Sequence, residues 1–112
     1  MYLNSMKLEP EFRNRVLEIV EKIPHGRVAT YGNVALMAGY PRRARHVGHL
    51  LRGISEGEES IPWQRVVNSS GKLSTYKIGT GDLQKKLLEA EGIMFSKSGT
   101  LELKRLLWWD EI

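Results

Sequence analysis

The segment 61–67, Ile-Pro-Trp-Gln-Arg-Val-Val, places an indole, an amide and a guanidinium next to one another in an apolar context. These groups can stack and form hydrogen bonds, but none is a nucleophile comparable to a thiolate. The indole N–H only donates hydrogen bonds. The chain contains no cysteine, so thiol chemistry, disulfides and thiolate metal sites are excluded. The segment therefore offers groups for stacking and hydrogen bonding but no thiolate for group transfer.

A second concentration of functional side chains lies at 41–53, where four arginines and two histidines occur without an acidic residue. The whole chain has 17 Lys and Arg against 13 Asp and Glu, a net charge of +4. A local basic patch is typical of a surface that binds a polyanion. The alternative is an ordinary solvated helix face, which explains most charge runs. Charge alone leaves both interpretations open.

The elements that must position these groups are predicted to be short helices. Apolar residues recur at helical spacing over 10–23, after Pro10, and predict an amphipathic helix. Thr30 can cap a second helix over 31–38, and Gly39 suits the position just after its end.

A third helix is predicted from Pro41 to about Gly53. Its apolar residues form one stripe at helical spacing, namely Val47, Leu50, Leu51 and Ile54. At 100° per residue the basic side chains then gather on the opposite face: Arg42, Arg45, His46 and His49, with Arg52 at the edge. Two short helices with a glycine turn between them favour a helix-turn-helix.

The rest of the chain predicts a wing and one more helix. Residues 66–67 and 72–74 flank an Asn-Ser-Ser-Gly turn, which is typical of a hairpin. Asp82 is expected to cap a helix that ends at Gly92, with apolar side chains inside it at Leu83, Leu87 and Leu88. Residues 100–103 alternate like a strand after the turn at 96–99. The predicted fold is mostly α with small β hairpins, a winged helix-turn-helix domain.

At 112 residues the chain is expected to form a single domain over 1–112. No apolar run approaches the ~18 residues of a membrane span, and the first seven residues lack the apolar block of a secretory signal. We therefore expect an intracellular protein without membrane association. The three histidines, His25, His46 and His49, do not suggest a metal site, and no cofactor is expected.

Four segments together resemble the O6-alkylguanine-DNA alkyltransferases over about residues 10 to 105. They are Ile-Pro-His-Gly-Arg-Val at 23–28 with Thr-Tyr-Gly at 30–32, Ala-Arg-His-Val-Gly at 44–48, Ile-Pro-Trp-Gln-Arg-Val-Val-Asn at 61–68 with Gly71, and Leu-Leu-Glu-Ala-Glu-Gly at 87–92. The signature of those enzymes is Pro-Cys-His-Arg-Val, so Trp63 replaces the reactive cysteine and Gln64 replaces its histidine. Tryptophan there resembles the alkyltransferase-like subfamily, which binds O6-alkylguanine in duplex DNA without repairing it.

The resemblance implies that the helix-turn-helix binds the minor groove. Arg45 would fill the stack left by a flipped nucleotide, since a planar guanidinium stacks on bases better than lysine does; otherwise it makes a phosphate contact. Tyr31, with Thr30 beside it, would favour rotation of the nucleotide, or else is a half-buried helix aromatic. Ala44 and Gly48 suit a narrow groove. The other DNA-binding candidates are Arg42, His46 and His49, of which His49 departs from the small residue usual in the family.

The resemblance also implies a lesion pocket, with candidate residues Pro62, Trp63, Gln64, Arg65 and Tyr76. An indole offers a flat surface to a flipped purine, and base stacking contributes ~1–3 kcal/mol. An isolated tryptophan is more often a core residue, but the flanking motif favours the pocket.

Three polar residues of the resemblance are expected to have structural roles. Arg65 would tie the pocket loop to the recognition helix, and Asn68 would hold the turn. Glu91 matches the carboxylate that polarises the histidine of the enzymes, and with Gln64 in that position it would only form local hydrogen bonds.

The expected function is a non-enzymatic DNA damage sensor that binds double-stranded DNA containing O6-alkylguanine and hands the lesion to nucleotide excision repair proteins. Two other classes stay open: a winged-helix transcription regulator of undamaged DNA, and a base-excising enzyme that uses Glu91. We expect a monomer, in the cytoplasm with the nucleoid if prokaryotic or in the nucleus if eukaryotic.

Overall fold

A computed structural model of the protein describes residues 2–57, 60–73 and 81–109, with the backbone alone for 2–9, 55–57 and 81–82. The architecture is mostly helical with one small sheet. In chain order the elements are α1 (Tyr2–Lys22), β1 (Ala29–Thr30), α2 (Tyr31–Met37), α3 (Ala44–Gly57), a 3₁₀ helix (Trp63–Arg65), β2 (Val66–Val67), α4 (Gly81–Ala90) and α5 (Leu103–Leu106).

The first helix begins earlier than predicted. The apolar stripe predicted over 10–23 is buried, and its members include Phe12, Val16, Val20 and Ile23. The helical backbone, however, runs through Pro10 back to Tyr2. Proline is favoured in a first turn because its missing N–H would be unpaired there. That preference marks a permitted helix start, not a required one, so the prediction of a start at Pro10 is wrong.

The helix-turn-helix forms, but α3 begins at Ala44 rather than just after Pro41, because residues 40–43 form a turn in which Arg43 N donates to Tyr40 O over 3.0 Å. The backbone N–H of Asn33 donates to Thr30 Oγ1 over 3.0 Å, so Thr30 caps α2. Gly39 follows α2 with φ +92°, a left-handed conformation that glycine adopts without strain. The stripe of α3 faces the core, with Val47, Leu51 and Ile54 buried. The helix continues four residues past the predicted end at Gly53, because a glycine inside a helix weakens it without ending it.

The strand pairing differs from the predicted hairpin. β2 pairs in parallel with β1, with Ala29 opposite Val66 and Thr30 opposite Val67. The turn after β2 is confirmed, since Gly71 N donates to Asn68 O over 3.0 Å. Lys72 and Leu73 lie outside any strand, and Gly71 instead accepts a bond from Leu101 N over 3.0 Å. The prediction that residues 72–74 form the second strand of a hairpin is wrong for Lys72 and Leu73, because β pairing depends on segments that are distant in the sequence. Ser74 lies outside the described residues.

The fourth helix also corrects the prediction in detail. It begins at Gly81, so Asp82 lies in its first turn rather than before it. Leu88 is buried as expected, but Leu83 is 47% exposed, and Gln84 at 1% exposure takes the inward position instead. Gln84 and Leu88 are four residues apart and share a helix face. Gly92 ends this region with φ +89°, as predicted.

The C-terminal part forms the short helix α5 and a segment that pairs with Val28, rather than the predicted strand at 100–103. Its pairing is a single antiparallel bridge between Phe95 and Leu101, and Leu103 already begins α5. Leu107 bridges Val28, and Trp108 N donates to Val28 O over 2.7 Å. Trp108 packs against the main core, whereas Trp109 is 46% exposed.

Two hydrophobic clusters divide the molecule. The larger one joins α1, α2, α3 and the 3₁₀ helix, and the smaller one, built on Val28, Val67, Leu88, Ile93 and Leu101, joins the sheet to the C-terminal elements. The parallel β1–β2 pair lies between them, because Ala29 and Val66 belong to the first cluster, whereas Val67 and Val28, the residue before β1, belong to the second. In the part of the chain that the structure describes, no helix is long and apolar enough to cross a membrane.

Candidate DNA interface and base pocket

The outward face of α3 carries the predicted basic side chains. Arg45, His46, His49 and Arg52 are all exposed, and so is Arg42 in the turn before the helix. Arg43 differs, because its guanidinium lies over the rings of Phe12 and Tyr40, 5.8 Å from each ring centroid. The charge run is therefore divided between an exposed face and one cation that packs against the protein.

The start of α2 approaches this face from the side. Tyr31 is the first residue of α2 and is partly buried, and its ring lies 3.9 Å from where a Cβ on Gly48 would be. A Cβ at this distance would be in ordinary van der Waals contact with the ring, so α2 and α3 are closely packed at Gly48. Thr30 is 5% exposed, and its hydroxyl caps α2. Its side chain contributes to the site by fixing the start of α2, where Tyr31 lies.

The pocket loop, residues 62–65, contains the 3₁₀ helix and leads directly into β2. A shallow groove there is lined by Pro62, Gln64 and Arg65 together with Glu21 and Ser60. Trp63 does not line this groove: its side chain belongs to the main core, and the residue is 7% exposed. Three of the five predicted pocket residues therefore line one groove, whereas a fourth, Trp63, is buried in the main core. Tyr76 lies outside the described residues.

A cluster of hydrogen bonds around Glu91 fixes the loop. Arg65 Nε donates to both carboxylate oxygens over 3.0 and 3.1 Å, Gln64 Nε2 donates over 3.0 Å, and Gly26 N donates over 2.8 Å. The side chains of Arg65 and Glu91 are only 17% and 6% exposed. Arg65 Nη1 donates to Ile23 O over 2.8 Å. Arg65 thus ties the loop to the end of α1 and to Glu91, not to the recognition helix α3 as predicted. The position of the buried carboxylate decides where the Arg65 side chain binds.

The same contacts determine the charge of Glu91. Burial alone raises the pKa of its carboxyl, but hydrogen bonds from Gly26, Gln64 and Arg65, with the charge of Arg65, outweigh burial and lower the pKa from its ordinary value. Three donors reach the carboxylate, and the Arg65 Nε–H is shared between its two oxygens. Glu91 is thus an ionised anchor that forms local hydrogen bonds, as expected.

Sequence reasoning missed Gln84. Its Nε2 donates to Gln64 O and to Val66 O, each over 3.1 Å, so it holds the backbone on both sides of Arg65. A buried amide must find such partners, because leaving it unpaired costs free energy. The available signal was its place four residues before Leu88, on the inward face of α4. On the opposite side of β2, Asn68 Oδ1 accepts from Ser70 N over 2.8 Å and holds the turn, as predicted.

The groups in this arrangement can bind a ligand through charge and hydrogen bonds. An exposed cationic helix face lies beside a loop whose Gln64 amide and Arg65 guanidinium are bound to Glu91 and whose indole is buried in the main core. Among the described residues there is no group of three His, Asp or Glu side chains that could hold a metal ion.

Comparisons with known proteins agree with this geometry. Residues 11–93 match the family model for the 6-O-methylguanine DNA methyltransferase DNA-binding domain. The chain is 46% identical over 98 residues to a DNA base-flipping protein of Vibrio parahaemolyticus, covering 88% of this chain and 96% of that one. It is 48% identical over 107 residues to a DNA base-flipping protein of Escherichia coli, covering 93% and 79%.

A solved structure shares the fold. The crystal structure of Schizosaccharomyces pombe Atl1 in complex with damaged DNA containing O6-carboxymethylguanine matches with a TM-score of 0.80 and 37% identity, over 90% of this chain and 97% of that one. This likeness confirms the predicted winged-helix fold class. The chain belongs to the family of the 6-O-methylguanine DNA methyltransferase DNA-binding domain, among its alkyltransferase-like members.

Proposed function

We propose that this protein is a non-enzymatic sensor of alkylated DNA, which binds duplex DNA through the minor groove and flips O6-alkylguanine into a pocket at Trp63. The observation that carries the proposal is the pocket loop itself. It has the anchoring of an active-site loop, with Arg65 and Gln64 fixed on Glu91, yet an indole stands where a nucleophile would be needed. With no cysteine in the chain, the loop can bind an alkylated base but cannot accept its alkyl group.

Two relatives support this function. The name DNA base-flipping protein is carried by the Escherichia coli relative, and Atl1 of fission yeast was crystallised on DNA containing O6-carboxymethylguanine. Replacement of the alkyl-accepting cysteine by Trp63 and of its histidine by Gln64 is part of the same proposal. It explains how a binding fold can persist without the transfer reaction.

In this proposal α3 provides the DNA contacts. Arg45 enters the base stack and replaces the extruded nucleotide, because a planar guanidinium both stacks and hydrogen-bonds to the orphaned base. Tyr31, held by the Thr30 cap, presses on the backbone of the rotating nucleotide. Gly48 keeps the helix surface slim. Phosphate and sugar contacts fall to Arg42, His46 and His49.

The pocket then provides discrimination. Pro62, Gln64 and Arg65 form the described rim and Trp63 the stacking wall, and the family resemblance assigns a hydrogen bond to the base to Tyr76. Since Trp63 is 7% exposed, a base reaches the indole only when the groups that cover it move aside. Extruding a base costs a few kcal/mol, and less from a weakened pair such as O6-alkylguanine opposite cytosine. Basic contacts strengthen binding to damaged and undamaged duplexes alike, so preference must come from the pocket and the weakened pair.

We further propose that the protein acts as a monomer and hands the lesion to nucleotide excision repair proteins. Its place in the cell follows its ligand: the nucleoid in the cytoplasm of a prokaryote, or the nucleus of a eukaryote.

The test is a titration into two matched duplexes that differ by one O6-methylguanine, at fixed near-physiological salt. We expect at least tenfold tighter binding to the lesion, or ~1.4 kcal/mol. Mass analysis of the protein and DNA after incubation should show no alkylated protein and no released base. Equal affinities, or protection of one fixed sequence regardless of damage, would contradict the proposal and favour a transcription regulator. Alkyl transfer or base release would show an enzyme.

A further inference from the structure

The recognition helix α3 carries two of the three histidines in the chain. His46 and His49 are both exposed and lie three residues apart on α3. Because residues three apart are neighbours on a helix surface, the two imidazoles form a pair on the outward basic face, which we call the histidine pair. The third histidine, His25, is exposed in the turn after α1. The charge of a histidine side chain ordinarily changes between about pH 5 and 8, whereas an arginine stays charged. The pair therefore adds a pH-dependent element to this face.

The histidine pair has ring contacts but no polar partner among the described residues. The ring of His46 meets Phe12 edge-on with 6.4 Å between centroids, and Phe12 in turn meets Tyr40 edge-on at 5.0 Å. The ring of Tyr31 lies beside Gly48, between the two histidines in the sequence. Within the described part of the chain, neither imidazole forms a hydrogen bond or an ion pair. The ring nitrogens of the pair are therefore available to a ligand.

The other charged groups around the histidine pair are cations. Both histidines line a hollow between α1 and α3, whose other lining residues are Pro10, Phe12, Arg13, Arg43 and Leu50. Arg45 and Arg52 belong to the same helix as the pair. No acid is among the described residues that line the hollow, and Glu11, the acid beside Phe12 in the sequence, forms an ion pair with Arg15 over 3.0 Å. A negative charge next to the imidazoles must therefore come from a ligand, as far as the described residues extend.

Duplex DNA supplies such a negative charge through its phosphates. A phosphate beside an imidazole favours the protonated form, because an opposite charge stabilises it. The protonated ring donates from both nitrogens, and a charge-assisted hydrogen bond to a phosphate oxygen is a strong one. The complex then holds more protons than the separated molecules. By linkage, a complex that takes up protons as it forms becomes tighter as the pH falls.

We propose that His46 and His49 couple duplex binding to proton uptake, so that the affinity of α3 for DNA increases as the pH falls from about 8 to about 6. Each imidazole takes a proton from solvent when a phosphate oxygen comes to lie beside it, and returns the proton when the DNA leaves. This inference rests on the proposed function in taking duplex DNA as the ligand of α3 and phosphates as the partners of the two histidines. It does not depend on lesion recognition.

The first test measures the affinity for an undamaged duplex between about pH 6 and pH 8 at constant ionic strength. The wild-type protein should bind about tenfold more tightly at the lower pH, since each protonated imidazole adds a charged contact with a phosphate. A double variant with His46→Gln and His49→Gln keeps hydrogen-bonding side chains that do not titrate. Its affinity should change by less than about twofold over the same range.

Three single variants sharpen this test. His25→Gln is the matched control, because it removes an exposed imidazole from outside α3, and it should keep the full pH dependence. His49→Gln leaves the contact between His46 and Phe12 intact and covers the case in which the double variant fails to fold; it should keep about half of the change in log affinity. His49→Arg places a permanent charge at that position, so it should bind about threefold more tightly than wild type at about pH 8.

The second test counts the protons. The heat of binding to the undamaged duplex is measured at about pH 7 in two buffers whose own enthalpies of protonation differ, and the difference in heat gives the number of protons taken up. Wild-type protein should take up about one proton per complex, and the double variant close to none. His25→Gln should take up as many protons as the wild type.

Equal wild-type affinities across the pH range, binding without proton uptake, or a full pH dependence in either glutamine variant of α3 would each overturn the proposal. A loss of pH dependence in His25→Gln would also overturn it, because the titrating group would then lie outside α3. These failures leave duplex binding intact, so they are distinct from a failure of the proposed function, which would appear as a lack of lesion preference or of duplex binding at any pH.

Discussion

Arginines serve two different purposes in this molecule, on the α3 face and in the Glu91 cluster. On α3, Arg45 and its basic neighbours are exposed to solvent, where a charge retains its hydration and reaches a polyanion at long range. In the cluster, Arg65 is largely buried and bound to Glu91 and to Ile23 O. There the same guanidinium is a structural fork rather than a ligand contact.

The difference separates affinity from discrimination. Exposed charges strengthen binding to any duplex, whatever its sequence or damage. A loop fixed by Glu91 and Gln84 keeps its geometry, and a fixed geometry can favour one base over another. We therefore expect variants of the α3 face to lose affinity for every duplex, and variants of the loop to lose the preference for one base over another.

The largest effect should come from Glu91→Ala. It leaves the guanidinium of Arg65, the amide of Gln64 and the N–H of Gly26 without their shared acceptor, and breaking a buried ion pair costs about 3–5 kcal/mol. The free energy of unfolding in urea, followed by tryptophan fluorescence, measures it. Glu89→Ala, on the exposed side of α4, is the control and should stay within about 0.5 kcal/mol of wild type. A similar loss in both variants would contradict the anchoring role.

The next effect should come from Trp63→Leu, which keeps an apolar, though smaller, side chain in the core but removes the stacking surface. The preference for O6-methylguanine over guanine should fall by about 1–3 kcal/mol, with affinity for undamaged duplex nearly unchanged. Paired titrations of the two duplexes measure both quantities. A variant that folds and keeps the full preference would show that the indole is only a core residue.

Arg45→Ala should give the opposite pattern with a smaller effect. Both duplexes should bind more weakly by about 1–2 kcal/mol, since the stacked guanidinium acts on any extruded nucleotide. Arg45→Lys should restore little of this loss, because an ammonium does not stack. Full recovery in the lysine variant would instead indicate a simple phosphate contact.

The smallest effect concerns pH. Because the pKa of Glu91 is lowered in the folded protein, its ionised form contributes stability that is complete above the unfolded-state pKa of about 4.3. That contribution is lost as the pH falls through the lower folded-state pKa. The difference in unfolding free energy between wild type and Glu91→Gln should therefore be constant near pH 7 and shrink below about pH 4. If the difference in unfolding free energy grew on acidification, it would have the opposite sign and contradict the lowered pKa of Glu91.

Much of the DNA-binding half could be predicted because its signals are local. The Thr30 cap, the Gly39 end of α2, and the stripe of Val47, Leu51 and Ile54 each depend on residues within two turns of a helix. The prediction failed where pairing was distant, as when Val66 and Val67 joined β1 instead of a following strand. Local spacing also misjudged Leu83, since only the packing of α4 decides which face turns inward.

The sequence by itself determined the chain's lack of thiol chemistry, the helix-turn-helix and its basic outer face, because residue types and short-range periodicity fix these features. Tertiary structure alone decided that Trp63 is buried in the main core, that Arg65 binds Glu91 and the backbone just after α1, and that the loop is held by Gln84. The physical reason is distance along the chain. Gly26 and Glu91, 65 residues apart, meet only after two cores have closed, and burial then selects which donors the carboxylate keeps.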